Sequence, residues 1–386
     1  MLGPSSASAL LPVYAQLPVR PVRGQGSWLY DEQGQRWLDA YGGHAVASTG
    51  HCHPKVVQAI REQAESLLFY STALPHPIRE RLASAIVAHC PSPLTKVFLC
   101  NSGAEANENA LHLARKITGR QLFVSIEGGW HGRTAATLAV TDGEKYMAGA
   151  RRAGIPLSIK VPWNDPATLL ATVDDTIAGV ILEPVQGLTG ARDLPVELIA
   201  AARKACDRSG AQLIFDEVQC GVGRCGSFTT AESIGITPDL LTLAKGLASG
   251  LPIAAVLTTD AISAHIKQGD LGSTFGGGPV PCAAALATLA VLDEERLCEN
   301  AVTIGEFLRQ GALALGTDKV VAVQGRGLLL GLRLRRAAVE VQTALLRHHI
   351  IVGTSSDPSV LRLMPPLSFS RSEAELFIQA LAKVLS

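Results

Sequence analysis

Short apolar runs alternate with stretches of helical periodicity between about residue 95 and residue 260. Most of the runs are continuously hydrophobic, which is typical of strands that are buried on both faces of a parallel sheet. The stretches between them, such as 106–117 and 198–205, repeat apolar residues at helical spacing. This alternation predicts an α/β fold in which helices cover a mostly parallel sheet. The seven predicted strands are residues 96–100, 122–126, 157–161, 179–182, 212–215, 240–243 and 253–257.

The pattern changes after the glycine-rich segment 275–279. Long helical stretches, short strands and an amphipathic closing helix then follow, which together predict a smaller α+β domain. We therefore expect an N-terminal segment, 1–50, that packs with the small domain, a large domain, 51–278, and a linking helix with the small domain, 279–386. The elements predicted in the last part are helices at 282–297, 301–315 and 373–385 and strands at 320–323, 328–334 and 360–363.

The composition narrows the class of protein. The chain has 386 residues, 47% of them hydrophobic and 18% charged, so it is long enough for two domains and too apolar to be disordered. Its 34 basic residues balance 34 acidic ones, which leaves no excess positive charge for nucleic acid or an anionic membrane. Residues 1–17 lack the pattern of a signal peptide, and the longest apolar run, 283–292, is too short to cross a bilayer. We expect a cytoplasmic protein.

The eight cysteines are scattered along the chain and include no Cys-x-x-Cys pair. Without a predicted secretion signal, they indicate reduced and mostly buried thiols. Cys220 and Cys225 are five residues apart, a spacing that can belong to a metal or redox pair. No second ligand pair lies nearby in the sequence, so we predict buried structural cysteines and no metal.

Two charged residues follow predicted buried strands. Asp216 comes directly after the run 212–215, and Lys245 follows the run 240–243. Open α/β sheets bind their ligands at such strand ends. Burial there can lower the pKa of a lysine until it is a nucleophilic amine, and a carboxylate can hold a cationic ring nitrogen. The two residues meet the needs of pyridoxal phosphate chemistry, and a structural salt bridge between them is the alternative.

Two segments of small and polar residues are candidate phosphate sites. The turn 101–105 joins a predicted strand to a predicted helix, whose first N–H groups can hold a phosphate. Ser102 in this turn can equally be only the N-cap of the helix. The segment 272–277 places Ser273 and Thr274 among glycines, so its hydroxyls can donate to a phosphate or belong to a flexible loop.

The segment 130–134 combines an aromatic residue with an arginine. Trp130 suits stacking on a planar cofactor, and Arg133 suits bidentate binding of a carboxylate. A core tryptophan beside a surface arginine is the alternative.

Taken in order, these segments resemble the class III, fold-type I pyridoxal-phosphate-dependent aminotransferases over nearly the whole chain. Within that class they are most similar to the acetylornithine aminotransferases, with the ornithine aminotransferases next. In this comparison His51 and His53 are structural residues and not metal ligands. The matching segments are 50–54, 101–107, 130–134, 182–187, 213–223, 242–246, 272–277, 325–328 and 361–367.

The resemblance implies a role for each matching residue. Lys245 bonds to pyridoxal phosphate and later shuttles a proton between the substrate and cofactor carbons, and Asp216 pairs with the pyridinium nitrogen. Arg133 binds the substrate α-carboxylate, and Arg362 anchors the second carboxylate of glutamate or 2-oxoglutarate. The other implied contacts are Trp130 and Val218 on the ring, Ser102, Gly103 and Ala104 on the phosphate, Thr274 on the phosphate of the other subunit in a homodimer, Gln219 near the phenolic oxygen, and Ser273 near the substrate.

One position departs from the family pattern. The chain has Leu188 where relatives have a glutamate, and in the family this acid pairs with the second arginine while the amine donor is bound. We expect Arg362 to stay open to a substrate carboxylate, with water or another acid as the alternative partner, because an arginine stays charged and is costly to bury unpaired.

The resemblance implies a homodimeric enzyme of arginine biosynthesis. It would move the distal amino group of N2-acetylornithine to 2-oxoglutarate by a ping-pong mechanism. Alternative donors are succinylornithine, ornithine, a lysine-pathway amine and 4-aminobutyrate. An aminomutase or racemase on the same scaffold is a further alternative, as is a non-catalytic cofactor-binding protein, which the presence of Lys245 and Asp216 disfavours.

Overall fold

A computed structural model describes residues 9–386, so the first eight residues of the predicted N-terminal segment lie outside the described part. The strands are β1 (Pro21–Gln25), β2 (Trp28–Asp31), β3 (Arg36–Asp39), β4 (Leu94–Cys100), β5 (Leu122–Ile126), β6 (Ile159–Val161), β7 (Ile177–Leu182), β8 (Val185–Gln186), β9 (Arg192–Asp193), β10 (Gln212–Asp216), β11 (Leu240–Leu243), β12 (Ala254–Thr259), β13 (Val320–Arg326), β14 (Leu329–Leu334), β15 (Ile350–Ile351), β16 (Gly353–Thr354) and β17 (Val360–Leu363). The helices are α1 (Gly42–Ala45), α2 (Pro54–Ser66), α3 (Pro77–Ala88), α4 (Gly103–Thr118), α5 (Ala135–Val140), α6 (Glu144–Arg152), α7 (Pro166–Thr172), α8 (Val196–Ser209), α9 (Thr230–Ile234), α10 (Asp260–Ser263), α11 (Pro279–Glu294), α12 (Leu297–Leu313), α13 (Ala338–Leu346) and α14 (Arg371–Leu385), with a 3₁₀ helix at Lys245–Ala248.

The central sheet has seven strands in the order β4-β12-β11-β10-β7-β5-β6, and all seven predicted strands belong to it. The pairs from β11 to β6 are parallel, and β12 runs antiparallel to both β11 and β4. The prediction of a mostly parallel sheet is confirmed. The strand predicted at 157–161 is shorter and begins at Ile159, because the Ser158 N–H bonds to the Ala139 carbonyl.

Helices lie against this sheet and bury its strands. Helix α4 packs on β10, β11, β12 and β7, and α8 packs on β10 and β7. Within β10, Leu213, Ile214 and Phe215 are fully buried, as the continuous apolar pattern predicts. The strand ends on Asp216, so the first polar side chain after the buried run lies at the carboxyl edge of the sheet.

Residues near the two ends of the described chain share a second sheet. Strand β15 pairs in parallel with β3, with Ile350 opposite Leu38, and β1, β2 and β3 form an antiparallel meander. A third sheet, in the order β13-β14-β17-β16, is antiparallel and carries Arg362 on β17. These pairings place the N-terminal strands beside the C-terminal elements, and the domain boundaries at residues 50 and 278 stay a prediction.

The long helices after residue 278 differ in detail from their prediction. Helix α11 begins at Pro279 and ends at Glu294, and α12 begins at Leu297. The two helices are separate because Arg296 takes a left-handed conformation between them, with φ of 52°. No helix within residues 9–386 is long and apolar enough to cross a membrane.

Candidate active site

Asp216 at the end of β10 is held by three donors. Its Oδ1 accepts the Val218 N–H at 3.0 Å, and its Oδ2 accepts from His131 Nδ1 at 2.8 Å and Asn107 Nδ2 at 2.7 Å. Because the carboxylate is the acceptor, His131 carries a proton on Nδ1. Asn107 is itself fixed by the Thr242 hydroxyl, which donates to its Oδ1 at 2.7 Å. The network holds Asp216, only 3% exposed, as an oriented acceptor.

Lys245 lies at the end of the neighbouring strand. Thr242 on β11 is paired in register with Asp216, and Lys245 follows three residues later at the start of the 3₁₀ helix, with a left-handed φ of 43°. Burial lowers the pKa of Lys245, while the negative charges of Asp216 and Glu183 oppose that effect. A lysine of lowered pKa is more often present as the free amine at neutral pH, which is the form that acts as a nucleophile and as a general base.

The turn before α4 offers backbone donors to an anion. Ser102 is the N-cap of α4, and its hydroxyl accepts the Glu105 N–H at 3.1 Å. The first-turn N–H groups of Gly103 and Ala104 have no carbonyl of the preceding turn to bond, and the helix dipole favours negative charge there. A Cβ at Gly103 would lie 2.5 Å from Val218 Cγ1, so only glycine fits between the turn and the residue after β10.

The segment 272–277 lies beside that turn. The Ser273 hydroxyl donates to Glu105 Oε1 at 2.7 Å and accepts from Asn101 Nδ2 at 2.9 Å. A Cβ at Gly276 would lie 2.2 Å from the Leu99 carbonyl oxygen, so the loop contacts the end of β4 closely. Thr274 is exposed, and the implied contact of its hydroxyl with the other subunit stays a prediction.

Trp130 and Arg133 form an aromatic and cationic group with a third residue, Tyr146. The Trp130 and Tyr146 rings meet edge to face, with centroids 4.7 Å apart. The Arg133 Cζ lies 5.1 Å from the Trp130 centroid and 5.7 Å from that of Tyr146. Cation–π attraction therefore orients the exposed Arg133 guanidinium without neutralising it.

Glu183 follows β7 and joins two parts of the site. Its Oε1 accepts the Trp130 N–H at 2.8 Å, and its Oε2 accepts the Gly187 N–H at 3.1 Å. Burial, assisted by the charge of Asp216, raises the pKa of Glu183 to about 7. This carboxyl group fixes the backbone of the aromatic segment relative to the loop that carries Leu188.

Arg362 on β17 is 7% exposed and bonds to three neutral oxygens. Its Nε donates to the Thr354 carbonyl at 2.6 Å, its Nη1 to the Gly187 carbonyl at 3.1 Å, and its Nη2 to the Tyr41 hydroxyl at 2.9 Å. Within residues 9–386 the guanidinium has no carboxylate partner, so the alternative of another acid is not seen there. Leu188 and Arg362 line the same cleft, whose volume is about 1810 Å³.

Gln219 packs closely against the loop that follows Glu183. Its Oε1 is buried and lacks a hydrogen-bond partner in the described part of the chain. A Cβ at Gly187 would lie 1.7 Å from this oxygen. Buried polar groups in native proteins are nearly always paired, so the amide is available to a bound group.

Some of the residues with contacts at the site had no role in the sequence prediction. Asn107 and His131 lie inside matched motifs, and Glu183 follows a predicted buried strand, which is the signal that singled out Asp216. Tyr41 lies far from Arg362 in sequence, and no local pattern marks it.

The candidate metal ligands have other environments. His51 Nε2 lies 2.8 Å from Asp39 Oδ2, and His53 Nε2 lies 2.9 Å from Glu295 Oε1. Cys220 and Cys225 are buried, and burial raises the pKa of both thiols. Across residues 9–386, the structure contains no group of three or more His, Cys, Asp or Glu side chains suited to hold a metal ion.

Comparison with known proteins identifies the family. The model of the family described as "Aminotransferase class-III" matches residues 12–385. The chain belongs to the class-III aminotransferases. This aminotransferase is 38% identical to the acetylornithine aminotransferase of Nitrosomonas europaea, over 98% of each chain. It is 41% identical to that of Streptomyces coelicolor, over 94% of this chain and 90% of the relative.

Solved structures agree with the family and with the fold. An amine transaminase from an uncultivated Pseudomonas species, in its PLP-bound form, superposes with a TM-score of 0.89 at 29% identity. The superposition covers 99% of each chain. The fold is therefore that of the fold-type I pyridoxal-phosphate enzymes, as predicted, and the cofactor of the family is pyridoxal phosphate.

The residues of this aminotransferase fit the cofactor. A buried carboxylate, Asp216, is available to a pyridinium nitrogen, and a lysine of lowered pKa, Lys245, is available to an aldehyde. The free amides at the start of α4 suit a phosphate, and the unpartnered Gln219 oxygen lacks a donor that a bound group can supply.

A carboxyl group beside the site, Glu217, gives a prediction about pH. Its two oxygens accept the N–H groups of Thr230 and Ala231 at 2.7 and 2.9 Å, and burial raises its pKa from 4.5 to about 7. The folded state thus holds this proton more tightly than the unfolded state, so the contribution of Glu217 to stability falls as pH rises from about 5 to about 7.

We expect the free energy of unfolding of Glu217→Gln, relative to that of wild type, to increase by about 2–3 kcal/mol as pH rises from 5 to 8. Thermal or urea unfolding of both proteins at several pH values measures the difference. Glu232→Gln is the matched control, because Glu232 is an exposed residue of helix α9, whose start Glu217 bonds to. The difference in stability between this control and wild type should stay constant. A pH-independent difference for Glu217→Gln would contradict the raised pKa.

Proposed function

We propose that this enzyme moves the distal amino group of N2-acetylornithine to 2-oxoglutarate, giving N-acetylglutamate 5-semialdehyde and glutamate. The observation that carries the proposal is a pair of arginines without carboxylate partners among residues 9–386. Arg133 lies over the Trp130 and Tyr146 rings, and Arg362 lies in the cleft that Tyr146 also lines. The curated relatives described above, both named acetylornithine aminotransferase, support this donor.

Two anchors suit two substrates that share one site. Arg133 would bind the α-carboxylate of acetylornithine, which leaves the distal amine free to reach the cofactor aldehyde beside Lys245. Arg362 would bind the second carboxylate of 2-oxoglutarate, and acetylornithine has only one carboxylate. Ser273, held by Asn101 and Glu105, would contact the substrate.

Lys245 and Asp216 would carry the proton chemistry. Pyridoxal phosphate, when bound, supplies an aldehyde that takes up the amino group and a ring that accepts negative charge. Lys245, whose pKa burial lowers, would remove the proton from the substrate carbon and return it to the neighbouring position. Asp216, oriented by His131 and Asn107, would hold the proton on the ring nitrogen.

The remaining site residues would bind and orient the cofactor. Trp130 and Val218 would contact the two faces of the ring, and Gln219 would lie near its phenolic oxygen. The phosphate would bind at the N-terminus of α4, on Ser102, Gly103 and Ala104.

We also propose a homodimer in which Thr274 completes the phosphate site of the other subunit. The segment next to Thr274 carries large exposed apolar side chains, which suit an interface between copies of the chain. Phe275 is 65% exposed and its ring lies 5.0 Å from that of Phe69, and Leu68 and Leu74 are also exposed. The cytoplasmic location stays a prediction.

Hybrid dimers test the shared site. The Lys245→Ala and Thr274→Ala proteins are each expected to be nearly inactive. When they are mixed, each hybrid dimer should recover up to about half of wild-type activity, because one of its two sites carries neither change. Subunit exchange is followed by native mass spectrometry and activity is measured on the same sample. Hybrids that form without recovery would contradict a Thr274 contribution in trans. Thr317→Ala, a change in the small domain, mixed with Lys245→Ala controls for dilution.

A panel of amine donors tests the substrate. With 2-oxoglutarate as acceptor, kcat/KM for N2-acetylornithine is expected to exceed those for ornithine, succinylornithine and 4-aminobutyrate by about tenfold or more, in the range that pocket contacts give. Glutamate formation is measured for each donor at equal enzyme concentration. A larger kcat/KM for any other donor would replace acetylornithine in the proposal.

A further inference from the structure

The Arg362 guanidinium is linked to a titratable residue through Tyr41. The Tyr41 hydroxyl lies 2.9 Å from Arg362 Nη2 and 2.9 Å from His44 Nδ1. The Tyr41 ring meets the His44 ring edge to face, with centroids 4.8 Å apart. All three residues line the same cleft. A chain of two hydrogen bonds therefore joins His44 to the arginine.

The bond from Arg362 leaves the Tyr41 hydrogen available to His44. A guanidinium can only donate, so the Tyr41 oxygen accepts from Arg362. The Tyr41 hydrogen is then free for His44 Nδ1, which can accept it only without a proton of its own. When Tyr41 donates in this way, His44 is neutral, with its proton on Nε2.

The surroundings of His44 also favour the neutral form. Although His44 is exposed in the cleft, partial desolvation lowers its pKa, and the positive charges of Arg362 and Lys245 add to that effect. Two acidic groups lie near the other members of this hydrogen-bond chain: Asp39 influences Tyr41, and Glu183 influences Arg362. A proton on His44 would place a second positive charge beside a guanidinium that has only neutral partners.

We propose that His44, acting through Tyr41, sets the preference of the Arg362 subsite between a substrate carboxylate and a neutral group. A carboxylate on Arg362 offsets the unfavourable charge of protonated His44, so the carboxylate and the proton each favour the binding of the other. An amine donor that places no carboxylate there gains nothing from the proton. His44 is thus a positioning residue whose protonation favours the acceptor half of the reaction. The proposal rests on the assignment of Arg362 as a carboxylate anchor.

The linkage is measurable with glutarate, a dicarboxylate that resembles 2-oxoglutarate and cannot be transaminated. The inhibition constant of glutarate is measured on the holoenzyme from pH 5.5 to pH 8 for wild type and His44→Gln. The glutamine keeps a polar amide but does not titrate. We expect the ratio of the two constants, variant over wild type, to be near one at pH 8 and to rise about fivefold at pH 5.5. Protonation of glutarate itself cancels in this ratio.

Three further variants make the result decisive. Tyr41→Phe, which removes the hydroxyl that links the two groups, should give the same increase of the ratio as pH falls. His265→Gln, an exposed change far from the cleft, should leave the ratio constant. A constant ratio for His44→Gln would overturn the proposal. Arg362→Lys is expected to weaken the binding of glutarate at every pH. An unchanged inhibition constant would contradict the assignment of Arg362 as a carboxylate anchor. Failure of acetylornithine as a donor with the His44 linkage intact would contradict the proposed donor alone.

Discussion

Lys245→Ala is expected to lower turnover with acetylornithine and 2-oxoglutarate by about 10⁴-fold or more. The change removes both the amine that bonds to the cofactor and the base that moves the proton. The folded protein should persist, because Lys245 lies in a short 3₁₀ helix after β11 and not in a strand of the sheet. Steady-state glutamate formation measures the effect. Borohydride reduction followed by peptide mapping should attach the cofactor to the Lys245 peptide in wild type and to no peptide in the variant.

Lys160→Ala is the matched control for this experiment. Lys160 is a half-buried lysine on β6 of the central sheet, and burial lowers its pKa to about 8. Its Nζ donates to the Ser125 hydroxyl at 2.7 Å and to the Val140 carbonyl at 2.6 Å, which gives it a structural role. We expect a loss of stability and no large change in turnover per folded molecule. Near-normal transamination by Lys245→Ala would refute the assignment.

Asp216→Asn is expected to slow the donor half-reaction by about 10²–10⁴-fold. The amide has nearly the shape of the carboxylate but lacks the charge that holds a proton on the ring nitrogen at neutral pH. Single-turnover mixing of the holoenzyme with acetylornithine measures this half-reaction directly. Cofactor should still attach to Lys245, which reduction and mapping can show.

The adjacent residue supplies a control for Asp216→Asn. Glu217 is also a buried carboxyl group, but it bonds to the start of α9. Glu217→Gln should therefore change stability and leave the rate of the half-reaction within a few-fold of wild type. An Asp216→Asn rate equal to wild type would show that another group protonates the ring.

The central sheet was predictable because each of its strands is a continuous apolar run between turn signals. The boundary between α11 and α12 was not, since it depends on a left-handed conformation at Arg296, a residue type that seldom adopts it. The start of α11 was also missed, although Pro279 is a common first residue of a helix.

At the site, placement was predictable and partners were not. Asp216 and Lys245 lie at neighbouring strand ends because the polar residue that follows a buried strand emerges at the sheet edge. The contacts of Asp216 with His131 and of Arg362 with Tyr41 join residues 85 and 321 positions apart. Such contacts depend on how the layers pack, which no local pattern in one sequence encodes.

Transfer of labelled nitrogen tests the central claim most directly. The holoenzyme is incubated with N2-acetylornithine that carries ¹⁵N only on its distal amino group, together with unlabelled 2-oxoglutarate, and the glutamate is analysed by mass spectrometry. Transamination predicts one ¹⁵N in each glutamate formed and an equal amount of semialdehyde, with no glutamate from Lys245→Ala. Unlabelled glutamate, or semialdehyde formed without glutamate, would contradict the proposed reaction.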